Sequence, residues 1–280
     1  MPALNLSGLP IAITGASSGI GMITALLCAR AGMPVALAAR RVDRLEHLAV
    51  EIRRGGGRAI AVACDVAKPE DCARLIDRTN DEFGTLYAVF ANAGYGVEGG
   101  VCELSDAAWR GIFETNFWGT LNTIRPALPH LLAAGRGHVL ICSSVVSKMG
   151  VPNLAAYTTT KACQDHVGRA LRLELGGKVH VSTVHPIGTN TEFSQVVTEK
   201  SGNRPRTARS PEAFRQTPEH VAEAVLRCLR RPRGEVWTSF TARMLAAIGT
   251  ASPGFADFIL RKHFEGKKKA IAQAAASGGA

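Results

Sequence analysis

The chain has no Cys-x-x-Cys pair, although it carries seven cysteines. They are scattered as Cys28, Cys64, Cys72, Cys102, Cys142, Cys163 and Cys228, several of them inside apolar runs. An odd, dispersed set reads as reduced core residues in a cytoplasmic protein rather than a disulfide framework. The eight histidines show no His-x-x-x-His spacing, so no metal site is expected. No stretch approaches the roughly 20 uninterrupted apolar residues of a membrane span. The first residues, MPALNLSGLP, lack the basic region, apolar run and cleavage site of a signal peptide. Internal repeats are missing. Aromatics make up only 6% of the chain, and no basic face interleaved with them appears, so the net charge of +10 does not indicate a nucleic-acid partner. Much of that charge is local. Residues 199–215 hold five basic and two acidic side chains, and residues 261–269 hold five basic and one acidic.

What is present points to an α/β protein. The 280 residues are 46% hydrophobic and include 29 glycines, ample for a compact core. Short apolar runs at 10–14, 34–39, 59–64, 86–91, 138–142 and 179–184 predict strands. Their continuous apolarity predicts burial on both faces, as in a parallel sheet. Segments 19–31, 42–54, 69–83, 105–132, 157–175 and 218–230 predict helices, with Ser105 and Thr217 as N-caps. Strand–helix alternation predicts a doubly wound parallel sheet flanked by helices, a single Rossmann-like domain over residues 1–240. A helical appendage at 241–264 and a disordered tail at 265–280 are expected to follow.

The first strand runs into Thr14-Gly15-Ala16-Ser17-Ser18-Gly19-Ile20-Gly21. Glycines at a strand-to-helix turn let backbone approach a diphosphate, and the helix N-terminus offers unpaired N–H groups and a positive dipole end. The second strand ends Ala38-Ala39-Arg40-Arg41, with no acid to accept a ribose 2′-hydroxyl. A guanidinium at Arg40 suits a 2′-phosphate instead, so NADP(H) is expected ahead of NAD(H). Arg41 reads as a solvated residue at the helix start. Further on, Tyr157 and Lys161 are four apart and share a helix face, with Ser144 thirteen residues before the tyrosine. A cation beside a phenol favours phenolate, and a phenol so tuned can exchange a proton with a carbonyl or alcohol oxygen.

These motifs together resemble the short-chain dehydrogenase/reductase family over residues 9 to about 240. The glycine segment resembles its TGxxxGxG. Asp65-Val66 resembles the pair that contacts adenine, and Asn92-Ala93-Gly94 the end of NNAG, with Ala91 in place of the first asparagine. Asn116 stands where the family has a catalytic asparagine, Ser143-Ser144 where it has its serine, and Tyr157 to Lys161 match YxxxK. Pro186-Ile187-Gly188-Thr189-Asn190-Thr191 resembles PGxxxT, with Ile187 in place of glycine, and implies nicotinamide contacts from Pro186, Thr189 and Thr191. The resemblance implies hydride transfer between a nicotinamide and a small-molecule carbonyl or secondary alcohol. Tyr157 is then the general acid or base. Lys161 tunes it and holds the ribose, Ser144 steadies the substrate oxygen, and Asn116 supports a proton relay. It also implies a homodimer or homotetramer through 105–132 and 157–175. The alternatives are a non-catalytic cofactor-binding regulator, or an epimerase or dehydratase on the same fold.

Residues 189–216 form a long polar connection, a substrate loop by position. Its arginines read as solvated surface or as readers of an anionic substrate. Apolar residues in 242–264 could cover a pocket, pack on a second subunit or lie on a membrane surface; the first two uses are favoured.

Overall fold

The computed structural model describes residues 3–202 and 215–277, with backbone alone at 263 and 267–277. Arg204, Arg206 and Arg209 of the basic loop lie outside the described residues.

The chain alternates strand and helix through its first half: β1 (Ile11–Thr14), α1 (Gly19–Arg30), β2 (Val35–Ala39), α2 (Val42–Arg54), β3 (Ala59–Ala63), α3 (Pro69–Phe83) and β4 (Ala88–Ala91). Then come α4 (Asp106–Phe113), a π-helical turn (Glu114–Trp118), α5 (Gly119–Ala133), β5 (His138–Cys142), a 3-10 turn (Val145–Lys148), α6 (Ala155–Glu174) and β6 (His180–His185). The last third holds β7 (Gly188–Thr189), α7 (Phe193–Lys200), β8 (Arg215–Gln216), α8 (Pro218–Arg230), β9 (Glu235–Trp237), α9 (Phe240–Ala251) and α10 (Pro253–Ser277).

Seven parallel strands form one sheet in the order β3-β2-β1-β4-β5-β6-β9. Strand alternation sends Ile11, Ile13, Leu37, Phe90 and Leu140 to one apolar layer, under α1, α2 and α8. Ala12, Ala36, Val89, Val139 and Ile141 face the other, under α3 and α5. Both faces are covered, which is why the strands read as unbroken apolar runs. Ser105 caps α4 by accepting from the Ala108 N–H, and Thr217 caps α8 by accepting from the His220 N–H, as expected.

Three expectations change. The helix expected over 105–132 is broken by the π-helical turn around Asn116, whose backbone carbonyl accepts from Gln164 and Thr120 side chains. The polar connection at 189–216 contains β7, α7 and β8. The tail expected to be disordered continues α10 to Ser277, in keeping with its alanine, lysine and glutamine content. No helix among the described residues is long and apolar enough to cross a membrane.

Candidate active site

The crossover order reverses at β1 and β4, and a cavity of about 760 Å³ opens at the carboxyl ends of these strands. Of the site residues singled out in the sequence, all but Gly21 and Asn116 line it.

At one end lies the β1–α1 turn. Gly19 has φ +56°, and the Thr191 side chain lies 3.0 Å from where its Cβ would stand. A Cβ on Gly21 would fall 2.4 Å from the Gly15 carbonyl oxygen, so Gly21 serves the turn's packing rather than the cavity. Asn92 Nδ2 donates to the Thr14 carbonyl at 3.0 Å, and Thr14 Oγ1 accepts from the Asn92 N–H at 3.1 Å. The N-cap residue of α1, Ser18, makes no side-chain cap. The first-turn N–H groups and the positive helix end therefore suit an anion. A backbone floor without Cβ atoms beside uncapped N–H donors fits a dinucleotide diphosphate.

Arg40 and Arg41 both line this end. Arg41, expected to be a solvated helix-start residue, is instead engaged. Its guanidinium donates to Ser17 Oγ at 3.0 Å and Ser18 Oγ at 2.9 Å, and pairs with Glu192 at 2.8 Å. Arg44 holds the other Glu192 oxygen at 2.6 Å. The hydrogen bonds from Arg41, then Arg44, hold the Glu192 carboxyl below its usual range. The residues are about two-fifths exposed, so this closure is weak in energy. It nonetheless draws the segment after β7 over the phosphate turn.

At the other end β5 delivers Ser143 and Ser144, and α6 delivers Tyr157 and Lys161. Ser143 Oγ donates to the Lys161 carbonyl at 2.9 Å, a helix-anchoring bond. Ser144 Oγ donates to the Pro186 carbonyl at 3.4 Å and accepts from the Val146 N–H at 3.4 Å, and its side chain lowers the Tyr157 pKa. Lys161 lies over the Tyr157 ring, its ammonium 5.6 Å from the ring centroid, and donates to the Cys142 carbonyl at 2.7 Å. Burial lowers the Lys161 pKa. Burial first, and then Cys142, raise the Tyr157 pKa, and Ser144 pulls it the other way. Asn116 is fully buried, one layer behind. Its Oδ1 accepts from the Tyr95 N–H at 3.0 Å, and its Nδ2 donates to the Tyr95 carbonyl at 2.9 Å and to Thr160 Oγ1 at 3.0 Å.

Beneath Ser144 is a polar cluster that the sequence did not announce. His185 Nδ1 lies 3.2 Å from the Ser144 carbonyl, which can only accept, so Nδ1 carries the proton. Nε2 faces Thr183 Oγ1 at 3.0 Å and Asp165 Oδ1 at 3.4 Å. Trp237 stacks on the imidazole at 4.4 Å. Burial first, against the pull of Asp165, keeps the His185 pKa below its ordinary value. Asp165, His185 and Glu235 bring ligand atoms within 4.8 Å of one another, a spacing a cation could use. The Lys148 ammonium already takes that place, 2.5 Å from Asp165 and 3.6 Å from Glu235. No spacing signal marks this group, because its members come from four separate segments. Glu192 escaped notice for the same reason, lying 151 residues from Arg41.

Comparison with known proteins agrees with this geometry. The family model for short chain dehydrogenases matches residues 10–202. An uncharacterized oxidoreductase of Listeria monocytogenes is 34% identical over 234 residues, which are 82% of this chain and 94% of that protein. Among solved structures, an alcohol dehydrogenase from Thermococcus sibiricus complexed with 5-hydroxy-NADP is 31% identical. It superposes with a TM-score of 0.72 over 82% of this chain and 95% of its own. A short chain dehydrogenase/reductase from Burkholderia phymatum, in complex with NAD, reaches a TM-score of 0.81 over 90% of this chain and 96% of its own. At 22% identity that likeness speaks to the fold alone. The chain belongs to the short-chain dehydrogenase/reductase family and is an oxidoreductase.

Proposed function

We propose that the protein is an NADP(H)-preferring oxidoreductase that interconverts a ketone or aldehyde and an alcohol, with Tyr157 as the proton-transfer group. The observation that carries this reading is that Ser144, Tyr157 and Lys161 line one cavity together with the glycine turn. When bound, the dinucleotide supplies or takes the hydride. The protein moves the proton and fixes the geometry.

A buried phenol with a raised pKa stays protonated through neutral pH and donates to the substrate oxygen as negative charge develops there. Ser144 donates to the same oxygen as charge develops there. In the reverse direction the phenolate recovers the proton. Lys161, on the same helix face, is the group to hold ribose hydroxyls. Asn116 holds the Tyr95 backbone through both side-chain atoms and so fixes the wall behind Lys161; a proton relay from Lys161 past this wall remains part of the proposal. Gly15, Ser17, Ser18, Gly19 and Ile20 meet the diphosphate. Asp65 and Val66 meet adenine, while Asn92, Ala93 and Gly94 back the cofactor. Pro186, Thr189 and Thr191 meet the nicotinamide side.

Arg40 and Arg41, with no acid at the end of β2, support a 2′-phosphate reader and hence NADP(H). The outer faces of α5 and α6 expose Leu132 and Leu173, which supports a homo-oligomer joined there. The test is dinucleotide oxidation in the presence of a panel of ketones and aldehydes. The reading expects ketone-dependent consumption of NADPH ahead of NADH. Tight cofactor binding with no turnover of any carbonyl would leave only a binding protein.

A further inference from the structure

The wall of the cavity around Tyr157 is built from three stretches far apart in sequence. Met149 and Val151 follow the 3-10 turn after Ser144. Phe193 and Val196 stand on α7, with the Phe193 ring 5.5 Å from the Tyr157 ring. Leu245 on α9 and Ile259 on α10 close the outside. They are held there because α9 packs on the 3-10 turn and α10 packs back on α9. Leu245 and Ile259 each keep 46% of their surface exposed, so apolar side chains line the cavity with nearly half of their surface uncovered. Within 146–154, 193–197 and 242–264, no described residue that lines the cavity is charged. Charge sits elsewhere: Arg41 pairs with Glu192 over the phosphate turn, and Lys161 donates to Cys142. Arg215 lines the cavity from β8, beside Gly188.

Apolar surface half-covered by protein gains when an apolar ligand covers the rest. A carboxylate or phosphate brought to these walls would be desolvated with no counter-charge on them. We propose that the chamber takes an uncharged, bulky, apolar secondary alcohol or its ketone, and that α9 and α10 form the outer wall that selects it. The proposal rests on the hydride-transfer reading above. The reaction is unchanged: the carbonyl carbon gains the hydride and the oxygen gains the Tyr157 proton.

The experiment uses the full chain with NADPH and the ketones 2-butanone, 2-hexanone, 2-octanone and 2-decanone, with 9-oxodecanoate as a charged counterpart of 2-decanone. We expect kcat/KM to climb by up to about fourfold per added methylene. The keto acid should fall about a hundredfold below 2-decanone. Leu245→Asp and Ile259→Asp should each lower the ratio of kcat/KM for 2-decanone to that for 2-butanone at least tenfold, with Leu245→Met keeping it. A flat length profile, or variants that depress both ketones alike, would overturn the proposal. So would a keto-acid preference that Arg215→Gln abolishes. Turnover of 2-butanone that vanishes in Tyr157→Phe upholds the oxidoreductase reading even when the length profile is flat. Binding of 2-decanol to the cofactor-loaded protein without turnover of any ketone removes the reaction and leaves the chamber's ligand class standing. Neither binding nor turnover takes both down.

Discussion

At the β1–α1 end the cavity is floored by backbone. Positions are set to tenths of an ångström by Gly19 against Thr191, Gly21 against Gly15, and Asn92 against Thr14. At the Tyr157 end it is walled by side chains, several of them half-exposed and contributed by helices that arrive late in the chain. Under the proposed function, the first end meets the diphosphate common to dinucleotides. Under the same reading, the other end meets the substrate. Between them lies the layer of His185, Asp165 and Lys148, which meets Ser144 at its backbone carbonyl. Rigidity belongs where the ligand is fixed, and adaptable packing where it varies.

The largest effect is expected in the connecting layer. Asp165→Leu leaves the Lys148 ammonium without its close partner, and removing one member of a buried pair costs about 3–5 kcal/mol. Urea unfolding measures it; a loss below about 1 kcal/mol would mean the cluster does not hold the two ends together. Next comes the contrast itself. Gly21→Ala should cost about 1–3 kcal/mol through overpacking against Gly15, whereas Leu245→Ala, half-exposed, should stay within about 0.5 kcal/mol. Equal losses would erase the distinction between a fixed end and a tolerant one.

Acid should act on the frame and spare both ends. Burial, then His180, lowers the His138 pKa from 6.5 to about 3. The unfolded chain binds the proton first, so stability drops as the pH falls below 6.5, by about 1.4 kcal/mol per unit, until the folded value near 3 is reached. His138→Leu should flatten that slope in thermal melts between pH 6 and 4. A further test falls on the phosphate end. Arg41→Gln should raise the Michaelis constant for NADPH about tenfold, roughly 1.4 kcal/mol, and move that for NADH less than twofold, with Arg40→Gln acting in the same direction. A parallel rise for both dinucleotides would assign Arg41 to closing the Glu192 segment instead.

Legibility followed the same division. β1 to β6 were readable because both sheet faces are covered; β9, three residues at the edge, left no pattern. The fixed end was readable because its residues are neighbours in sequence, and so was the Ser144–Tyr157–Lys161 spacing. Spacing placed Lys161 and Tyr157 on one face but carried no information about burial, which governs the phenol. The π-helical turn was hidden because it depends on Asn116 meeting Tyr95 and Thr160, contacts made only in the folded chain. Arg41 with Glu192, and Lys148 with Asp165, are pairings of distant segments that no local pattern announces. The apolar walls were visible as residues at 242–264 but not as walls, because their placement depends on how α9 meets the 3-10 turn.

Tyr157→Phe tests the central claim most directly. The account predicts that ketone reduction with NADPH falls by about 10³-fold, while the dissociation constant for NADPH stays within about threefold. Turnover within tenfold of the parent protein would contradict it, because the proton would then come from another group.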